Sequence, residues 1–305
     1  MKATSAPGTT ISGITDGEGI QNNNGSFISA PLPLSTVEGR LTLTTAVPVT
    51  TGDVTSATTM YFTPYGGDRI SLYDGTRWKA YKFTEISLAL GTLTAAKPYD
   101  VFIYDNSGTL TLEFLVWTNA TTRATALVLQ NGVYVKSGAT TRRYLGTFYT
   151  ASTTTTEDSA TKRYLYNYYN RVTKLMVVND TANSWTYTTA TWRQANANTA
   201  NKVEFVIGVD EEPAEASVAV TVVNATVVNG AVGIGLDTTT DGNFAQIKAG
   251  FLASYVHIQA RGSLYTGIGY HYLSWNEYSD ALGATTWYGD NGSVEASGML
   301  AFIKQ

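Results

Sequence analysis

Apolar and polar residues alternate in short runs along most of this chain. In RLTLTTAVPV, residues 40–49, Leu41 and Leu43 fall on one side of an extended backbone, because successive side chains of a strand point to opposite faces. TMYFTPYGGDRISLYDGTRWKAYKF, residues 59–83, places the turn signals YGGD and YDGT between β-rich runs. The second reads as a two-residue hairpin on Asp74-Gly75, followed by Trp78 and Tyr81. ISLAL (86–90) is a short apolar run, and PYDVFIYDNSGTLTLEFLVWTN (98–119) reads as strand, DNSG turn, strand. ALVLQNGVYVKSG (126–138) gives the clearest hairpin, two β-rich runs around Asn131-Gly132. The pattern predicts an all-β fold.

The texture then changes. QANANTAN (194–201) is polar and low in complexity and reads as a linker. Beyond it, KVEFVIGV, SVAVTVVNATVV, AVGIGL, SYVHIQARGSLY, GYHYLSWNEYS, ATTWYG and SGMLAFI follow as short strands spaced by turns. A train of this kind predicts a β-sandwich or jelly roll over 202–305. At the other end, residues 1–35 are rich in Gly, Ser, Thr, Asn and Pro and bury too little apolar surface to fold alone. They read as an extended arm whose anchors on a partner are Ile11, Ile14 and Phe27. The expected organisation is an arm (1–35), a central β-domain (36–193), a linker (194–201) and the sandwich (202–305).

Composition narrows the function. The 305 residues are 43% hydrophobic and 14% charged, with 20 Tyr and no Cys. Thr and Tyr fit half-buried pleated surfaces, and the apolar share can fill a sizeable core. A net charge of −4 and a pI near 5.2 argue against a nucleic-acid binder, which carries a basic face. Without Cys there is no disulfide framework and no thiolate chemistry. The first residues, MKATSAPGTT, lack the apolar centre of a secretory signal, and no apolar run approaches the length of a membrane span.

The stretch KRYLYNYYNRV (162–172) puts four tyrosines, two arginines and a lysine into eleven positions. Twenty residues earlier RRYLGTFYT (142–150) shares its Arg-Tyr-Leu opening and its aromatic pair. Two related strands are expected. Tyr164, Tyr166 and Tyr168 share one face, suited to a core or a subunit interface; a sugar-binding surface and a nucleic-acid contact are the rival readings.

The search for reactive groups returns little. His257 and His271 lie in different expected strands with no HExxH spacing. DTTTDGN (237–243) offers Asp237, Asp241 and Asn243 as oxygen ligands for Ca²⁺ but lacks the EF-hand spacing and terminal Glu; a plain turn is the preferred reading. GAVGIGL has no helix after it to seat a phosphate. Asp100, Asp105 and Glu113 lie near one expected hairpin, and a glycosidase carboxylate pair is a spatial matter that the sequence leaves open. DEEPAE (210–215) reads as a solvated turn. No catalytic residue, metal ligand or cofactor is assigned.

From RLTLTTAVPV through LEFLVWTN, and on through TTRATALVLQNGVYVKSGATTRRYLGTFYT, KRYLYNYYNRV and WTYTTATWRQANANTAN, the chain resembles structural proteins of tailed bacteriophages of the tail-fibre or head-fibre kind. The resemblance covers roughly residues 40–200. The C-terminal strands, GYHYLSWNEYS among them, are similar in pattern to the trimeric jelly-roll heads of the C1q and tumour-necrosis-factor type. The resemblance implies a non-enzymatic, homotrimeric virion-surface protein mounted by its arm on capsid, portal, adaptor or tail proteins. It implies no nucleic-acid partner and no membrane insertion. Contact with a host-surface glycan would fall on Tyr270, Tyr272, Trp275, Asn276 and Trp287, whose rings can stack on sugar faces while the amide supplies hydrogen bonds. The alternatives are a purely structural head fibre or capsid cement protein and a small polysaccharide-degrading enzyme.

Overall fold

The structure, a computed structural model, describes residues 36–226, 228–251, 254–290 and 297–305, together with the backbone of the strands Glu18–Asn23 and Ser26–Pro31. Those two strands pair antiparallel, with Phe27 opposite Asn22; Ile11 and Ile14 lie outside the described residues. The fold is all-β. A single 3₁₀ turn, Ala195–Ala197, interrupts the strands among the described residues, and no helix there is long and apolar enough to cross a membrane.

The amino-terminal unit is built from hairpins. Pro98–Asn106 pairs with Thr109–Val116 on one side and with Ala139–Tyr149 on the other. Val133–Lys136 and Leu127–Gln130 extend that sheet. Against it lie a three-stranded sheet (Gly39–Thr42, Thr59–Pro64, Ile86–Ala89) and the hairpin Arg69–Tyr73/Trp78–Lys82. Leu41, Phe62, Ile70, Leu72, Val101, Ile103, Leu145 and Phe148 form the core between them, with Phe62 stacked on Phe83 at 4.9 Å and Tyr99 on Phe148 at 5.4 Å.

Turn chemistry explains the hairpins and corrects one of them. Asn131-Gly132 joins Gln130 to Val133 with φ of 53° and 84°, the doubly left-handed turn that matches strand twist. Ser107-Gly108 does the same between Asn106 and Thr109. The loop at Asp74 has four residues rather than two, because Tyr73 pairs with Trp78. Asp74 Oδ1 accepts the amides of Thr76 and Arg77, each at 2.8 Å, so the side chain itself closes the wider turn.

The carboxy-terminal unit is a sandwich of two sheets. One runs Ala245–Phe251, Val228–Leu236, Gly269–Ser279, Lys202–Ile207. In the other, Ala214–Asn224 is central, with Val256–Leu264 along one edge and Gly298–Lys304 and Thr285–Tyr288 in succession along the other. Val218, Val220, Val222, Met299 and Ala301 face Val203, Val232, Ile234 and Leu273 across the core, the inward halves of alternating strands.

Strand pairing does not follow the expected boundary at 194–201. Thr173–Asn179 adds to Gly298–Lys304, Ser184–Tyr187 to Thr285–Tyr288, and Arg193–Gln194 to Gly269–Ser279. These residues therefore complete the sandwich. The supposed linker is packed: Asn201 is fully buried, and its amide, with those of Asn196 and Asn198, donates to the Asp180 carboxylate at 2.6–3.3 Å. Polar composition suggested exposure there, but the amides fold inward to satisfy a buried charge.

Candidate functional site

The tyrosine-rich stretch joins the two units. Lys162–Arg163 pairs parallel with Lys202–Ile207 in the sandwich. Two residues later Leu165–Asn167 pairs antiparallel with Ala139–Tyr149 in the amino-terminal sheet. The two Arg-Tyr-Leu strands are thus neighbours running in opposite directions. Gly146 allows their approach, since a Cβ there would overlap the Tyr166 carbonyl oxygen. The shared tyrosine face then reaches one segment of chain, residues 204–211. Tyr164 donates to Glu204, Tyr166 to the Val209 carbonyl at 2.9 Å, and Tyr168 to Glu211 at 3.3 Å. Arg171 braces the end of the row, donating to the Tyr166 hydroxyl at 3.1 Å and to Glu211 at 2.9 Å. Burial pushes the Tyr166 hydroxyl up to about 12 and raises those of Tyr164 and Tyr168 as well.

At the Glu204 end the row opens toward solvent. Tyr149 and Tyr270 stack at 4.4 Å, and Tyr164 presents its edge to Tyr149 at 5.0 Å. Burial of Glu204 works against its charge, but hydrogen bonds from Lys202 and Tyr164 outweigh it and hold the carboxyl below its usual value. Lys202 Nζ lies 2.6 Å from Glu204 and 5.2 Å from the Tyr272 ring centre. Thr161, Lys162, Thr199 and Ala200 complete a shallow pocket of about 260 Å³ beside them. Glu204 and Lys202 were not picked out from the sequence, and Tyr149 only as part of the aromatic pair in RRYLGTFYT. The available signal was a lone carboxylate inside the apolar run KVEFVIGV, which needs a partner wherever it is buried.

The five residues assigned to sugar contact do not share a surface. Tyr270 and Tyr272 stand half-buried on the outer face of Gly269–Ser279. Trp275, Asn276 and Trp287 are each 0% exposed, so the assignment of these three to sugar stacking is withdrawn. Trp275 packs edge-on against Trp185 in the core at 5.9 Å, and Trp287 belongs to the same core. Asn276 lies on the same side of its strand as the two tyrosines, but the 237–243 loop covers it. Its amide donates to Asp241 O at 2.6 Å and Thr238 O at 3.3 Å.

The loop offered for Ca²⁺ uses its side chains to close itself. Asp237 accepts from the Tyr272 amide at 2.9 Å and meets His271 Nδ1 at 2.7 Å. Asp241 accepts the Gly242 amide and Asn243 the Leu236 amide, both at 2.7 Å. His257 stands apart, 3.4 Å from Thr221 Oγ1. In the acidic run, Glu211 and Glu212 pair with Arg171 and Lys304.

The three carboxylates of the 98–116 hairpin do not form a pair. Asp100 is buried and gripped by Arg123 at 2.8 and 3.2 Å; burial still raises its carboxyl. Asp105 is five residues along the same strand, roughly 17 Å away at strand rise. Glu113 is opposite Phe102, on the other face from Asp105, and is engaged by Lys136 and Arg142. Asp100 and Glu113 are diagonal neighbours on one face, roughly 7–8 Å apart and within the span of a glycosidase pair, but each is held in its own ion pair, Asp100 with Arg123 and Glu113 with Lys136 and Arg142.

A different carboxylate is sealed inside the sandwich. Glu277 is fully buried, accepts Trp185 Nε1 at 2.6 Å and Arg193 Nε at 2.7 Å, and is pushed up to about 7 by burial. It ties the Arg193–Gln194 strand to the sandwich interior.

No family model and no curated protein matches the chain. Among solved structures, it is similar to the insecticidal delta-endotoxin Cry8Ea1 from Bacillus thuringiensis (5% identity, TM-score 0.27, 88% of this chain and 52% of that one). It is also similar to the mosquito-larvicidal Cry4Aa toxin of the same organism (8%, 0.21, 83% and 51%). A Bacillus subtilis family 43 arabinoxylan arabinofuranohydrolase in complex with cellotetraose follows (10%, 0.21, 92% and 56%). The chain spans about half the length of these proteins, and likeness at such scores carries no functional argument.

Proposed function

We propose that this chain is a non-enzymatic surface protein of a tailed-bacteriophage particle, a fibre or decoration that works as a homotrimer mounted through residues 1–35. The sequence resemblance over 40–200 supports the virion setting. The observation that carries the assembly is an uncovered apolar row on the outer face of the sandwich. Leu175 lies opposite Phe302, and Val177 opposite Leu300, on adjacent strands; Leu175, Leu300 and Phe302 are 45%, 42% and 40% exposed. Contiguous apolar surface of this kind is a common mark of association.

Phe302 stands between two grooves, of about 430 Å³ beside Glu212 and Lys304 and about 200 Å³ beside Gln259 and Arg261. A ridge next to a groove suits a head-to-tail contact, and three such contacts close a ring. Light scattering on the purified chain is expected to give about three times 32.8 kDa, and Phe302→Asp with Leu300→Asp to give a folded monomer. A wild-type monomer at micromolar concentration would overturn the reading.

A further inference from the structure

In the amino-terminal unit, the ends of three hairpins meet around a cleft of about 310 Å³. Tyr73 and Asp74 come from the Arg69–Tyr73/Trp78–Lys82 hairpin, with Tyr81 from its return strand. Tyr104 and Asp105 come from the end of Pro98–Asn106, and Arg142 from the start of Ala139–Tyr149. All six line the cleft.

The three rings are only partly buried. Tyr81 donates to Asp105 Oδ2 at 3.2 Å. The hydroxyls of Tyr73 and Tyr104 have no hydrogen-bond partner among the described residues. Tyr104 is held flat by the Arg142 guanidinium, 4.4 Å above its centre, and Arg142 is itself fixed by Glu113 at 2.7 Å. Asp74 is neutralised by Lys79 at 2.8 Å. Asp105 has no cation partner among the described residues; it accepts only from Tyr81 and from the Gly108 amide at 2.7 Å.

We propose that this cleft binds a neutral pyranose unit of a glycan. The volume suits one or two sugar rings and lies at the small end of ligand pockets. Aromatic faces at different tilts can take the C–H faces of a pyranose, while free tyrosine hydroxyls and carboxylate oxygens match its hydroxyl groups. Of the two carboxylates that line the cleft, Asp74 is paired with Lys79 while Asp105 has no cation partner among the described residues, and a carboxylate standing there disfavours an acidic sugar beside it. The site lies wholly in the amino-terminal unit, so it goes beyond the assembly proposal and stands or falls separately from it.

The test is saturation-transfer NMR on the full chain, with methyl glucoside and N-acetylglucosamine as neutral probes and glucuronate as the acidic one. Both neutral probes are expected to receive saturation, with glucuronate at least about tenfold weaker. Tyr104→Ala should weaken the neutral probes by about tenfold or more, and Tyr265→Ala, at an exposed tyrosine of the carboxy-terminal unit, should leave them unchanged. Asn106→Trp fills the cleft from an exposed turn position and should abolish transfer even if Tyr104→Ala fails to fold. No transfer to either neutral probe, transfer indifferent to Asn106→Trp, or glucuronate binding as well as glucose would each overturn the proposal.

Discussion

Two groups of tyrosines in this molecule share a residue type and differ in what their polar atoms meet. In the row Tyr164, Tyr166 and Tyr168, every hydroxyl donates to the 204–211 segment. In the hairpin cleft, the hydroxyls of Tyr73 and Tyr104 have no hydrogen-bond partner among the described residues. Carboxylates divide the same way. Asp74, at the cleft, is held below the usual carboxylate range by Lys79 and by backbone amides. Glu277, sealed in the sandwich, is pushed the other way by burial. The comparison teaches that the aromatic-polar signature common to sugar sites and to packed interfaces is resolved by hydrogen-bond closure. A tyrosine whose hydroxyl and both ring faces are taken is a fastener; one with an open hydroxyl and an open face can bind.

The largest effect should come from breaking the fastener. Tyr166 is 1% exposed, fills space beside Gly208, and satisfies both Val209 O and Arg171. Tyr166→Ala removes a buried ring and one hydrogen bond each from Val209 O and Arg171, which keep the Glu211 amide and carboxylate as partners, so a loss of about 3–5 kcal/mol is expected. Because the row bridges two units, denaturant melts followed by separate probes should also lose coincidence. A loss below about 1 kcal/mol would show that the row is not what couples the halves.

How far all this could be read in advance follows from the same distinction. Strand positions were legible because alternation and turn residues are local: GYHYLSWNEYS is the strand Gly269–Ser279, and Asn131-Gly132 is a tight hairpin. The face shared by Tyr164, Tyr166 and Tyr168 was legible for the same reason. What covers a face is not local. Asn276 lies on the side of its strand that carries Tyr270 and Tyr272, yet a loop from residues 237–243 seals it. The run 194–201 looks solvated until Asp180, just past the strand Thr173–Asn179, draws its amides inward. The cleft is assembled from three hairpin ends far apart in sequence; Asp74 and Tyr81 stood out beforehand only as parts of a hairpin, and Asp105 only as one of three carboxylates near another.

The pH dependence sharpens the contrast between sealed and open carboxylates. Glu277 binds its proton more tightly in the folded chain, at about 7, than at the ordinary 4.5. Its contribution to stability is therefore complete below about 4.5 and is lost as pH rises through about 7. The loss is on the order of 3 kcal/mol. Glu277→Gln keeps the shape and removes the titration, so its melting temperature should be flatter than that of the parent between pH 5 and 8 (roughly the window set by linkage). Identical slopes in the two proteins would place the proton elsewhere and leave Glu277 ionised against Arg193.

The smallest effect is the most diagnostic. Tyr104 is half-buried, its hydroxyl has no hydrogen-bond partner among the described residues, and the Arg142 guanidinium lies over its face. Removing it leaves Arg142 held by Glu113 and Thr141, so no charge is stranded. Tyr104→Ala should therefore cost about 1 kcal/mol or less, the scale of an exposed cation–π contact. It should leave the cooperativity of unfolding unchanged. Measured in the same melts as Tyr166→Ala, the two substitutions remove the same side chain from a closed and an open setting. If Tyr104→Ala costs as much as Tyr166→Ala, the cleft tyrosine is a packing residue, hydrogen-bond closure is the wrong criterion, and the sugar site loses its physical basis.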